Sequence, residues 1–249
     1  MALDLFVGID LGSTTTKAVF VDGDGRIMGR GITNSRSNYH LACQVAKEEG
    51  EIDARFRVLK DSLEKKSLHP EQTAAAMKWL TSMFALRHHR RQLQALGEEF
   101  LRLLPKANWI GENFEVYQKT LEKIFTNLDS SSESLFVPGA VAQSDFFRDL
   151  ATTQFLRQAE IEVKADSRLV FDRLVGLFDK AIIIIENKSF SANFSEYLDF
   201  AAMRTTQRDE FKSQAAAITA AAKETRDFKI NIVNTVGTGY GRLTLPFEK

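Results

Sequence analysis

One segment near the N-terminus carries the side chains that could bind a phosphate group. It combines a carboxylate, a glycine, several hydroxyls and an ammonium group: Asp10, Gly12, Ser13, Thr14, Thr15 and Lys17. Glycine lets backbone N–H groups approach a phosphate closely, and the hydroxyls and the ammonium group can donate to its oxygens. A carboxylate at the end of a strand can hold the water shell of Mg²⁺. The spacing is not that of a Walker loop, and a β-hairpin with a hydroxyl-rich turn that binds nothing would have a similar sequence.

Short strands are predicted on both sides of this segment. Residues 5–10 form an apolar run, and residues 15–21 are rich in β-branched side chains, which favour strands. The sequence Asp-Gly-Asp-Gly at 22–25 predicts a hairpin turn, after which residues 26–33 supply a third strand. We therefore predict an antiparallel meander whose first turn is the phosphate-binding segment.

The middle of the chain has helical periodicity. From about residue 39 to residue 226, apolar residues recur at helical spacing, and the last helix, about 206–223, is a candidate to pack on the sheet. Residues 228–236 then predict a buried strand. We predict an α/β domain formed by residues 1–38 and 227–249, with an all-α bundle, 39–226, inserted into it.

The composition narrows the functional classes. The 249 residues include 33 Lys+Arg and 33 Asp+Glu, and this zero net charge argues against general nucleic-acid binding. No apolar run approaches the ~20 residues that span a bilayer, and no secretory signal is visible. The single cysteine, Cys43, excludes internal disulfides and an all-cysteine metal site. We expect a cytoplasmic protein that binds neither nucleic acid nor membranes.

The likeness to known proteins begins in residues 7–17, which read VGIDLGSTTTK. This segment resembles the first phosphate motif of the actin, hexokinase and heat-shock-chaperone ATPase superfamily. With the later GTGYGR sequence at 237–242, it resembles the ATPase family of 2-hydroxyacyl-CoA dehydratase activators and benzoyl-CoA reductase subunits. Over its whole length the chain resembles the A-type ATP-binding subunit of benzoyl-CoA reductase. This implies an actin-like (ribonuclease H-like) ATPase lobe with a large helical insertion, here an N-terminal portion from which the C-terminal lobe is absent.

The resemblance also implies roles for individual residues. Asp10 would be catalytic and would hold Mg²⁺ through water. The nucleotide phosphates of ATP would be bound by Gly12, Ser13, Thr14, Thr15 and Lys17. The family's GYGR element would be formed by Gly239, Tyr240, Gly241 and Arg242.

The implied activity depends on other subunits. ATP hydrolysis would drive low-potential electrons from ferredoxin towards the reductive dearomatisation of benzoyl-CoA. The implied partners are a paralogous ATPase subunit, the substrate-reducing subunits and ferredoxin. The full-length subunit pair would hold a [4Fe–4S] cluster with no ligand from the residues present here, because Cys43 matches neither cluster cysteine of the family.

Several alternatives remain at this stage. A sugar-type kinase of the same superfamily would have a similar phosphate segment, and a non-catalytic module could use the helices to dock a partner. The basic run 87–91 is expected to be a solvated helix surface, and its adjacent histidines cannot form a metal pair on one helix face. The glycines of 237–241 lack the spacing of a dinucleotide-binding fingerprint.

Overall fold

The computed structural model describes residues 2–35, 39–66, 69–140, 146–186, 188–189 and 193–239. The strands are β1 (Ala2–Leu11), β2 (Thr15–Val21), β3 (Ile27–Asn34) and β4 (Lys229–Gly239). The α-helices are α1 (Tyr39–Lys65), α2 (Pro70–Leu103), α3 (Phe114–Ser132), α4 (Phe147–Ala165), α5 (Phe171–Glu186), α6 (Phe194–Thr206) and α7 (Ala215–Asp227). Among the described helices, none combines the length and apolar character needed to cross a membrane.

The chain forms two compact units whose boundaries differ from the predicted ones. The first unit contains Met1–Thr81 and Ser189–Lys249, and the second contains Ser82–Lys188. The predicted insertion, 39–226, therefore includes helices that belong to the same unit as the sheet. The division falls inside α2, where the sequence has no turn or linker signal.

The first unit is built on a sheet with the strand order β3-β2-β1-β4. β1 and β2 are antiparallel, as are β2 and β3, which confirms the predicted meander. β4 pairs with β1 in the parallel direction. Alternate residues of β1 are buried on one face of the sheet, while Phe6, Gly8 and Asp10 are exposed on the other. β4 is only half-buried, because its Val233 and Val236 are 51% and 64% exposed, so the prediction of a buried strand was wrong.

Glycines allow α1 to lie directly on the sheet. A Cβ on Gly31 would lie 1.9 Å from the carbonyl oxygen of Ala46, and one on Gly29 would lie 2.1 Å from that of Gly50. A Cβ on Gly50 would in turn lie 2.4 Å from the ring of Phe20. Only residues without side chains permit this approach, and it places α1 with the sheet and not with an inserted bundle.

α1 also protects the edge of the sheet. The backbone N–H of Arg30 donates to Oδ2 of Asp53 at 2.9 Å, and that of Ile32 donates to Oε2 of Glu49 at 3.3 Å. These carboxylates occupy donors of β3 that would otherwise be free to pair with another strand.

The last helical segment packs on α1 and α6. The predicted helix at 206–223 is a 3-10 helix, Asp209–Gln214, followed by α7. Glu224 of α7 accepts hydrogen bonds from the hydroxyl of Ser62 and the ammonium group of Lys66, both at 2.6 Å. These bonds tie α7 to the end of α1.

The second unit has an aromatic core. Phe155 lies 5.0 Å from Phe100 and 4.9 Å from Phe178 between ring centroids, and Phe100 lies 5.2 Å from Phe125. Such ring pairs add to the burial of their surfaces. The core is thus contributed by α2, α3, α4 and α5, whose apolar stripes face one another within this unit.

The basic run 87–91 is not the solvated surface that the sequence suggested. His89 is 3% exposed and lies 5.1 Å from Phe136 and 5.4 Å from Phe147 between ring centroids. Burial, with smaller contributions from His88 and Arg90, lowers the pKa of His89 to about 4. The imidazole is therefore neutral at physiological pH and is part of the core.

Candidate functional site

The turn between β1 and β2, residues 12–14, is the segment that the sequence predicts to bind phosphate, and we call it the phosphate turn. The N–H of Gly12 donates to the carbonyl oxygen of Thr15 at 3.1 Å, which closes the turn. A Cβ on Gly12 would lie 2.7 Å from that same oxygen, so a side chain would force the turn open. Ser13 and Thr14 are exposed at its tip.

The end of β3 supports this turn. The N–H of Ser35 donates to the carbonyl oxygen of Thr14 at 2.8 Å, and the hydroxyls of Thr16 and Ser35 are 2.7 Å apart. Thr16 is fully buried. Neither Thr16 nor Ser35 was among the predicted site residues, because their contact joins the ends of two different strands. Together they hold the turn in place from below.

Three polar side chains form a row across the open face of the sheet beside the turn. In the strand register, Asp10 of β1 is opposite Lys17 of β2 on one side and Thr238 of β4 on the other. All three are exposed. Adjacent strands lie about 4.7–4.9 Å apart, so the row spans about 10 Å. A carboxylate stands here between an ammonium group and a hydroxyl.

Thr238 is a candidate site residue that was not predicted from the sequence. It precedes the predicted GYGR element by one residue, and only the parallel pairing of β4 with β1 places it next to Asp10. Ligands bind characteristically at the carboxyl ends of parallel strands. The sequence feature that could have predicted this position is the Thr-Gly pair, residues 238–239, at the end of a strand.

Gly239 brings the end of β4 against the phosphate turn. It is opposite Leu11, has a φ of 91°, and a Cβ on it would lie 2.3 Å from the carbonyl oxygen of Leu11. Both the positive φ and the close approach require glycine. The other predicted members of this element, Tyr240, Gly241 and Arg242, lie outside the described residues.

The single cysteine is far from solvent. Cys43 is 1% exposed in the core between α1 and the sheet, and burial raises the pKa of its thiol to about 11. Within the described ranges no group of three or more His, Cys, Asp and Glu side chains is arranged to hold a metal ion.

Comparison with known proteins gives one match. No curated protein and no solved structure shows significant similarity to the chain. The model of the BadF/BadG/BcrA/BcrD ATPase family matches residues 7–249, a range that includes the phosphate turn, the row beside it and every helix. The chain therefore belongs to the BadF/BadG/BcrA/BcrD ATPase family.

Proposed function

We propose that the chain binds ATP with Mg²⁺ at the open end of its sheet and takes part in ATP hydrolysis. The observation that carries this proposal is the row of Lys17, Asp10 and Thr238 beside the exposed hydroxyls of the turn. Membership in an ATPase family supports the same conclusion.

Each group in the site has a distinct task. The ammonium group of Lys17 neutralises phosphate oxygens, and the N–H and hydroxyl groups of Ser13 and Thr14 donate to them. Asp10 accepts hydrogen bonds from water and so orients it at the phosphate. The residues present fit Mg²⁺, which keeps several waters and takes one or two carboxylates, and Asp10 is exposed with the hydroxyl of Thr238 beside it. When bound, the ion would neutralise charge that develops on the phosphate.

Calorimetric titration with MgATP tests this site. Lys17→Ala should weaken ATP binding by about 1.5–3 kcal/mol, or about 10- to 150-fold in Kd, the range for a hydrogen bond to a charged group. Lys229→Ala is the matched control, because Lys229 is an exposed lysine at the opposite end of the same sheet. Equal affinities of the two variants would remove Lys17 from the phosphate site.

We further propose that this ATPase activity serves benzoyl-CoA reductase. In this proposal the chain is an electron-activating, cytoplasmic subunit that acts with a paralogous ATPase subunit, the substrate-reducing subunits and ferredoxin. The support is the sequence resemblance described above together with the family match. A [4Fe–4S] cluster takes four thiolates, and the one cysteine of this sequence is buried, so this chain's residues do not fit the cluster.

Reconstitution distinguishes this proposal from the kinase alternative. The chain is combined with the partner subunits and reduced ferredoxin, and ATP hydrolysis is followed with and without benzoyl-CoA. ATP turnover that requires reduced ferredoxin and consumes benzoyl-CoA supports the reductase role. Accumulation of a sugar phosphate without any reductant would identify a kinase instead. An absence of ATP binding would support the third alternative, a non-catalytic module that docks a partner.

A further inference from the structure

We propose that the helical unit, residues 82–188, contains a second ligand site that binds an organic phosphate. The site is an open cleft of about 350 Å³ between the end of α2 and the first turns of α5. Its walls include Lys106, Trp109, Arg173 and Lys180. This cleft lies entirely within the second unit and shares no residue with the phosphate turn of the first.

Three cationic side chains and one carboxylate line the cleft. Lys106, Arg173 and Lys180 line it, and in the part of the chain that the structure describes none of them forms an ion pair with a carboxylate. The one acidic side chain in the lining is Asp172. The neighbouring cation Arg102 differs, since it is bound to Glu99. A concave surface with an excess of positive charge attracts an anion with more than one negative charge.

The guanidinium group of Arg173 is already held in position. It lies 5.1 Å from the centre of the Trp109 ring, and that ring lies 5.0 Å from the ring of Tyr117. The hydroxyl of Tyr117 in turn accepts the N–H of Val170 at 2.9 Å, just before α5 begins. A guanidinium group fixed on an aromatic wall loses little freedom when its parallel N–H groups bind two phosphate oxygens.

The lining of the cleft also includes apolar side chains and a glycine. Leu177 is buried, and a Cβ on Gly176 would meet nothing within 4 Å, so this position leaves open space. Ligand pockets typically start at about 300 Å³, which exceeds the size of a bare phosphate ion. Apolar side chains, an aromatic ring and three cations in one lining together suit a phosphomonoester with a small flat apolar body.

Fluorescence of Trp109 provides a local test in the full chain. The protein has 2 tryptophans, and Trp79→Phe leaves Trp109 as the only emitter. Titration with phenyl phosphate should give a saturable change in emission, while inorganic phosphate and the monoanion benzenesulfonate should bind at least tenfold more weakly. Calorimetry on the unmodified chain checks that Trp79→Phe has not altered the result.

Two variants of the cleft and one control decide the proposal. Lys180→Met should weaken phenyl phosphate binding about tenfold, and Gly176→Leu should abolish it by filling the open space without removing a charge. Lys164→Met removes an exposed lysine of α4 that is not in the lining, and it should change nothing. A helical circular dichroism spectrum and an unchanged melting midpoint show that Gly176→Leu is folded.

The outcomes also separate this site from the proposed ATP site. Lys17→Ala should leave the Trp109 titration unchanged. Any one of three outcomes would overturn the second site. They are no saturable signal, equal affinities of Lys180→Met and Lys164→Met, and binding of benzenesulfonate as tight as that of phenyl phosphate. None of these outcomes bears on ATP binding at the phosphate turn.

Discussion

Gly31→Ala is the sharpest test of the contact between α1 and the sheet. The added Cβ would lie 1.9 Å from the carbonyl oxygen of Ala46 and 2.6 Å from the nitrogen of Gly50, whereas ordinary contacts begin at 3.4 Å. Because both neighbours are backbone atoms, no side chain can rotate away, and α1 must move by about 1.5 Å or bend. Overpacking of this kind costs about 1–3 kcal/mol, and a backbone clash belongs at the upper end of that range.

A loss of about 3 kcal/mol should lower the melting midpoint of the first unit by about 6–12 °C. Circular dichroism measures the midpoint. Hydrogen exchange at the backbone amides of Arg30 and Ile32 reports on the same contact locally, because these amides donate hydrogen bonds to carboxylates of α1. The matched control is Gly8→Ala, since a Cβ on Gly8 of β1 would meet nothing within 4 Å. If Gly31→Ala and Gly8→Ala have the same melting midpoint and the same exchange rates at these amides, α1 does not lie on β3 as described.

Three further predictions concern the site and the buried histidine. Asp10→Asn should reduce the steady-state rate of ATP hydrolysis at least a hundredfold while MgATP still binds. Asp4→Asn, on the same strand, should leave the rate unchanged. Equal rates of the two variants would exclude a catalytic role of Asp10. Thr238→Val should weaken MgATP binding about tenfold in calorimetry. Thr235→Val, on the same strand but on the other face of the sheet, should leave the affinity unchanged. An equal loss of affinity in both variants would mean that the Thr238 hydroxyl has no specific role in binding. Folding lowers the pKa of His89 from 6.5 to about 4, so the unfolded chain binds more protons than the folded chain between these pH values. Through His89 the free energy of unfolding of the second unit should therefore fall by up to about 3 kcal/mol as pH falls from 6.5 to 4. His89→Met should reduce that dependence in urea titrations at several pH values without abolishing it, because burial also lowers the pKa of His88 to about 4. An unchanged slope would contradict the burial of the His89 imidazole.

Much of the first unit could be read from local sequence. The apolar run 5–10 and the β-branched residues of 15–21 predict two strands, and the glycine and hydroxyls between them predict the turn that the structure shows. These features depend on residues within a few positions of each other, so their pattern is visible in one short segment. The same holds for the apolar stripes that predict most of the helices.

The contacts between distant segments could not be predicted from the sequence and follow from the tertiary structure. Thr238 stands beside Asp10 because β4 pairs with β1 across more than two hundred intervening residues, and no spacing rule expresses that pairing. α1 joins the sheet because Gly31 and Gly50 remove the Cβ atoms that would hold them apart, although a glycine in a helix reads locally only as a weak point. His89, within a basic run, is buried by two phenylalanines from elsewhere in its unit. Local propensity determines which segments become strands and helices, whereas steric fit and burial between segments far apart in sequence determine which of them meet.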